Sequence, residues 1–334
     1  MFINEKGYDF ISKENTLWLR GILALLVFVS HLPNYLGFFV GSKLGSVLQS
    51  FGSWCVAIFF FLSGYGLYTS YMVRGKEYVQ ALPRKRILPL YVRSLILLVC
   101  YICLLLFLGN GFNFWLLIRS LTFTGTYIAN GWYLQVLLLL YLFFYAIFSI
   151  NVSEKKKMII LFAITCVYYV VFYIHSLFYA NSYFGISSIF CFVWGVLYAY
   201  KKYAIDLYLN RSRLAVAICG LVVFGIGGIV LITRKAIMIP TVLFGIQSTF
   251  ITMSFAIGVL LLVRIFNFNC KEMRLLGKYS FEIYVLQGMG FILASSSLCA
   301  GFNMYIQVCI SILITVALCY PFHLIFNRVD KVIT

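Results

Sequence analysis

Two residues near the front of the chain have the types and spacing for acid–base chemistry. Arg20 opens a long apolar run and His31 follows eleven residues later. Eleven residues make three helical turns, so a helix would put both side chains on one face, their Cα atoms about 16 Å apart along the axis. An imidazole titrates near neutral pH. It can take a proton from a hydroxyl, or carry an acyl group briefly on a ring nitrogen. The plainer reading of the same pair is a hydrogen-bonded helix histidine and a snorkelling arginine. Glu282 is the only one of the nine acidic residues well inside an apolar run. With Lys278 four residues earlier it reads either as an ion pair at a helix start, where the helix dipole favours negative charge, or as a carboxylate that orients a catalytic or binding residue. His175 and His323 fall at the ends of apolar runs and read as interfacial.

Three further clusters carry possible binding chemistry. Arg84, Lys85 and Arg86 stand between Pro83 and Pro89 just before an apolar run. Such a cluster marks a cytoplasmic loop, and it also suits phosphate groups, to which arginine offers a two-pronged donor. Ser63 and Gly64 interrupt the run that begins Phe59-Phe60-Phe61. Small residues there either let helices approach closely or let a ligand reach the backbone. Trp132 and Tyr133 open another run, as an interfacial aromatic belt or as the lining of a sugar-binding mouth. Ten cysteines are scattered along the chain; Cys100 and Cys103 form a C-x-x-C in mid-run, without partner His or Cys, and read as inert packing thiols. No metal site is expected.

The elements that must hold these residues follow from composition. Apolar residues make up 63% of the 334 and charged residues 10%, against roughly 45–50% and 25% for a soluble domain. Mean hydropathy is +0.99. Soluble, disordered, collagenous and disulfide-scaffold classes are excluded, and an all-α polytopic membrane protein is expected. Ten apolar runs fall at about 17–39, 46–72, 88–109, 131–150, 158–178, 184–200, 214–233, 240–263, 279–299 and 302–326. The stretch 112–127 is apolar but short, and reads as interfacial or re-entrant.

The net charge of +17 resolves into topology. With both termini in the cytoplasm, 22 of the 26 Lys and Arg residues fall on the inner side, and only Lys43, Arg119, Arg234 and Lys235 on the outer. Basic residues split among six separate segments do not make a nucleic-acid face, so nucleic acid is not an expected partner. No cleavable signal peptide, internal repeat or attached soluble domain is read, and residues 1–334 are expected to form one integral-membrane domain.

Taken together, the motifs resemble membrane acyltransferase family 3, the integral-membrane O-acyltransferases of bacterial surface glycans. The first run matches that family's Arg-x10-His pattern. Phe59 to Leu67 resembles its F-F-x-L-S-G segment, Arg84 to Tyr91 its basic stretch, Trp132-Tyr133-Leu134 its W-Y-L element, and Leu276 to Tyr284 its late L-G-x-x-S-x-x-I-Y segment. The resemblance spans most of the chain in the right order, and the ten-run count agrees with it. It implies a multi-pass protein of the cell membrane that moves an acyl group, usually acetyl, from cytoplasmic acyl-CoA to a sugar hydroxyl of a surface glycan or lipid-linked sugar. No tightly bound cofactor is implied. His31 would be the base or transient carrier and Arg20 its partner toward the donor, with Glu282 supporting. Arg84, Lys85, Arg86, Ser63 and Gly64 would face the CoA donor, and Trp132, Tyr133 and Gln287 the acceptor. Gln287 stands where the family often has His, and an amide cannot take a proton. The rival class is a transporter or flippase for a glycan or lipid-linked sugar, against which the chain shows no paired inverted halves.

Overall fold

A computed structural model describes residues 10–178, 186–236, 241–266, 268 and 270–334. Helices and the short loops that join them make up these residues, with no strand among them. The helices are α1 (Leu17–Leu36), α2 (Lys43–Leu82), α3 (Leu88–Phe107), α4 (Phe114–Leu121), α5 (Trp132–Ser149), α6 (Glu154–Phe178), α7 (Ile189–Leu209), α8 (Arg213–Ala236), α9 (Thr241–Val263), α10 (Lys271–Lys278), α11 (Ser280–Ala294) and α12 (Met304–Ile333). Seven helical stretches are long and apolar enough to cross a membrane, one of them running from Lys43 to Phe107 through α2 and α3. Each of the ten expected runs overlaps a helix; α7 carries Lys201, Lys202 and Asp206 in its second half and α11 has only fifteen residues, so neither is among the seven. Lys6 lies outside the described residues, as do the side chains of His175, Arg234 and Lys235.

The chain divides into two interleaved compact units. The first comprises Met1–Leu19, Ser53–Tyr78 and Ala146–Arg274. Within it α2 and α7 meet at glycines. A Cβ on Gly64 would overlap the Phe192 carbonyl, and one on Gly195 the Phe61 carbonyl, so the helices approach to backbone contact. The buried Lys157 ammonium donates to Glu154 (2.8 Å) and to the Tyr71 hydroxyl (2.9 Å), while Tyr68 and Tyr71 donate to the same carboxylate. Lys202 donates to Tyr65 (2.8 Å), one turn before Tyr68 on α2. A lysine this far from water is tolerable only with its charge matched in this way.

The second unit comprises Arg20–Gly52, Val79–Tyr145 and Leu275–Thr334. Its centre is α11, buried without interruption from Glu282 to Phe291. Gly290 lets α12 close on it: a Cβ there would stand 2.5 Å from the Ser311 carbonyl oxygen and 2.7 Å from the Thr315 hydroxyl. The Tyr101 hydroxyl of α3 lies over Gly288 and donates to the Val285 carbonyl at 2.8 Å.

The stretch between α3 and α5, expected to be interfacial or re-entrant, doubles back on itself. The chain leaves α3 at Phe107, yet the Phe123 ring lies 6.2 Å from that of Tyr91, sixteen residues back along the same helix. The segment therefore doubles back along α3 through most of its length, about 24 Å at helical rise. Asn113 caps α4 by accepting from Leu116, and Tyr127 ties the two arms, donating to the Asn113 carbonyl (2.8 Å) and accepting from its N–H (2.6 Å). Gln135, one turn into α5, donates to the Gly125 carbonyl at 2.6 Å and to that of Ser120 at 3.3 Å. Non-helical backbone at membrane depth survives only where protein or a wet cavity satisfies it, and these side chains supply that. Phe123 and Asn130 both take positive φ, near 60°. For Asn130 this is mild, but for Phe123 it is strained backbone held in place by its surroundings.

The glycine contacts separate packing from permissiveness. Gly64→Ala is expected to lower stability by roughly 1–3 kcal/mol through overpacking. Gly66→Ala, in open space on the same helix, is expected to be neutral or to stabilise slightly. Thermal melts of the two variants in detergent check the pair.

Candidate active site

The residues expected to do chemistry are distributed unevenly. Arg20, His31, Arg84, Lys85, Arg86, Trp132, Tyr133, Glu282 and Gln287 all belong to the second unit; Ser63 and Gly64 belong to the first. Gly64 owes its small size there to the Phe192 backbone, so its lack of a side chain serves helix packing. Ser63 is half-buried beside it.

Arg20 and His31 share α1 and both are half-buried. The helix continues past His31 through Pro33, which lacks the N–H that would meet the Val29 carbonyl, so the turn around His31 is looser than the rest. On the α11 side, the His31 ring meets Phe291 edge-on, with centroids 6.4 Å apart. Tyr35, one turn beyond His31, stacks flat on Phe291 at 5.1 Å and stands edge-on to His31 at 6.1 Å. Phe28, Leu32, Leu36 and Ala294 close an apolar floor around that contact.

Beyond this floor lies a group of phenols. Tyr35, Tyr101 and Tyr133 are all within electrostatic range of Tyr284. The rings of Tyr133 and Tyr284 meet at 5.1 Å, and Tyr284 donates to the Asn130 carbonyl at 2.9 Å. Trp132 is half-buried and edge-on to Tyr133 at 6.4 Å. Helices α1, α3, α5 and α11 thus enclose an imidazole and several hydroxyls within an apolar shell. Such a site can remove a proton from an alcohol with little water to compete. Tyr35, Tyr101 and Tyr284 were not singled out from the sequence. In a chain that is 19% aromatic, the available signals were the position of Tyr35, one turn from His31, and that of Tyr284 at the end of the late L-G-x-x-S-x-x-I-Y segment.

Glu282 departs from its expected partner. Its carboxylate lies 2.8 Å from Nδ1 of His323 on α12, while Lys278 is exposed on α10. His323, expected to be merely interfacial, is stacked edge-on against Tyr279 at 4.9 Å and closes the pair. The separation of 41 residues explains why local spacing favoured the lysine. Asp330, seven residues beyond His323, pairs with Arg93 of α3, which lies over the rings of Phe281 and Phe326 at 5.5 and 5.4 Å.

A family model described as an acyltransferase domain matches residues 17–324, nearly the whole chain. The chain belongs to the acyltransferase 3 family. No curated protein and no solved structure matches it. Membership of this family, together with the long apolar helices, makes the protein a multi-pass membrane acyltransferase. An acyltransferase must bring an acyl donor and an acceptor together in one site.

The basic cluster of this acyltransferase sits on a π-helical turn, Pro83–Ile87, that joins α2 to α3. Such turns are rare and frequent at functional sites. Gly75, with φ 60°, kinks α2 just upstream. Arg84 Nε donates to the Ile333 carbonyl at 2.8 Å, capping the end of α12. Lys85 and Arg86 are exposed and make no hydrogen bond or ion pair among the described residues. Pro83, Arg84, Ile87, Leu88 and Tyr91 line an open groove. Tyr91 also lines a more enclosed cavity with Ser94, Ser120, Thr126 and Gln135, between α3 and the segment before α5. From Leu88 to Tyr101, where α3 reaches the phenol group, the rise is about 20 Å.

The pairing of buried Glu282 with half-buried His323 predicts a non-additive cycle. His323→Ala leaves a buried carboxylate without its partner and is expected to cost about 1–3 kcal/mol. Replacing both residues by Leu is expected to recover most of that loss. Melting temperatures of the single and double variants check it, and strict additivity would contradict the pairing.

Proposed function

We propose that the protein is an O-acyltransferase that moves an acyl group, most simply acetyl, from acyl-CoA to a hydroxyl of a surface or exopolysaccharide sugar. Membership of the acyltransferase 3 family carries the reading, and the enclosure of His31 among the hydroxyls of α1, α3, α5 and α11 supports it. His31 takes the proton of the acceptor hydroxyl as its oxygen attacks the thioester carbonyl. The tetrahedral adduct collapses, the C–S bond breaks, and the imidazolium returns the proton to the departing thiolate. Arg20, on the same helix, stabilises the oxyanion or the donor's phosphates. Glu282, held by His323, braces α11 against α12 behind the site. Lys85 and Arg86 meet the CoA phosphates, with Arg84 holding the turn in place. Trp132 and Tyr133 face the acceptor, whose sugar rings suit stacking on aromatic surfaces.

The topology that goes with this mechanism has ten spans, with both termini in the cytoplasm and the basic turn facing the CoA pool of the cell. The 22-to-4 partition of Lys and Arg supports it. A transporter reading has no support in the family match.

Two experiments follow. His31→Ala and Arg20→Ala, expressed in the native host, are each expected to lower O-acetylation of the surface glycan at least about 100-fold. Wild-type levels in both would refute the mechanism. Lys85→Ala with Arg86→Ala is expected to raise the apparent KM for acetyl-CoA about tenfold with little change in kcat, and the effect should shrink as ionic strength rises.

A further inference from the structure

Gln287 carries a polar atom that the protein leaves unanswered. The residue is fully buried in the middle of α11. Its amide nitrogen donates to the Tyr284 carbonyl at 3.1 Å. A carbonyl oxygen can only accept, so this bond fixes which end of the amide is which. The other end, Oε1, has no hydrogen-bond partner among the described residues. A buried acceptor with no donor is costly, and native proteins seldom keep one without a use for it.

The location suggests the use. Gln287 is one turn before Phe291 on the same helix face, and Phe291 is the residue that touches His31 and Tyr35. Three residues earlier, Tyr284 contacts Tyr133 and the Asn130 carbonyl, at the mouth expected to receive the acceptor. Beside it, Gly288 gives way to Tyr101 and Ala129. Its polar neighbours on this stretch of α11 have partners from α3, α12 or the segment before α5: the Val285 carbonyl from Tyr101, the Tyr284 hydroxyl from Asn130 and Glu282 from His323.

We propose that Oε1 of Gln287 accepts a hydrogen bond from a substrate N–H or O–H group held beside His31, and so orients that substrate for transfer. The inference rests on the acyltransfer reading of the site. The donor group is a hydroxyl of the acceptor sugar or an amide N–H of the acyl-CoA arm; the chemistry at Gln287 is the same, and the experiment separates the two.

The test uses Gln287→Met, which keeps the volume and removes the acceptor, and Gln287→His, which can offer an acceptor nitrogen. Glycan O-acetylation is read in cells. Melting temperature and the apparent KM for acetyl-CoA, from thioester hydrolysis, are read on the purified full-length protein. Gln287→Met is expected to melt at or above the wild-type temperature, since it no longer buries an unpaired oxygen, yet to acetylate about tenfold less. Gln287→His is expected to retain more activity than Gln287→Met. An unchanged KM for acetyl-CoA assigns the bond to the acceptor hydroxyl, and a KM raised about tenfold assigns it to the CoA arm. The inference is overturned if Gln287→Met acetylates within about twofold of wild type, or if activity in both variants falls only in step with melting temperature. His31→Ala is measured alongside. If it is inactive while Gln287→Met is unaffected, this inference alone fails; if it acetylates normally, the acyltransfer reading fails with it.

Discussion

The second unit depends on the burial of α11. A helix closed off from Glu282 to Phe291 has no water to satisfy its polar groups, so every neighbour must bring a matching one or withdraw its side chains. This requirement fixes what surrounds it. Tyr101 brings α3 to the Val285 carbonyl, Tyr284 reaches the segment before α5, His323 joins α12 to Glu282, and Gly290 lets the α12 backbone close in. The aromatic stack of Tyr35 on Phe291 sets α1 against the same helix, and with it the depth and orientation of His31. The imidazole is therefore positioned by contacts that lie hundreds of residues away in sequence, not by its own helix alone.

The two units solve the problem of polar groups in an apolar setting differently. In the first, the charge of Lys157 is neutralised by Glu154 and shared with Tyr71, while Lys202 rests on Tyr65. Those contacts serve cohesion. In the second, phenols and an imidazole gather around a helix that keeps one amide oxygen unanswered. Acyl transfer to a hydroxyl needs donors and acceptors of that kind.

Sequence patterns carried much of this, and their limits are physical. The Arg20–His31 spacing was legible because one helix holds both residues and helical geometry is local. The basic turn and the Trp132-Tyr133 opening were legible because charge and aromatic rings are unusual at those places in an apolar chain. The partner of Glu282 was not, because its pairing is made between helices and Lys278 is the nearer cation along the chain. Gly64 was legible as a small residue but not as a packing residue, since nothing local reports that the Phe192 carbonyl lies against it. Tyr35 and Tyr101 were hidden by abundance. The doubling back after α3 could be read only as a short apolar stretch, because the group that pins it, Gln135, lies beyond it in α5.

That last arrangement has a consequence for how the protein is made. Chain emerges from the ribosome in order, and the segment after α3 is complete before α5 has entered the bilayer. Until Gln135 arrives, the carbonyls of Ser120 and Gly125 lack the amide that satisfies them at depth, so the segment has no reason to leave the aqueous interface. Its docking must be a late event, after the helices on either side are in place. The wall of the cavity shared by Tyr91, Ser94 and Thr126 therefore waits for a helix made after it. Its docking is a step separate from its synthesis.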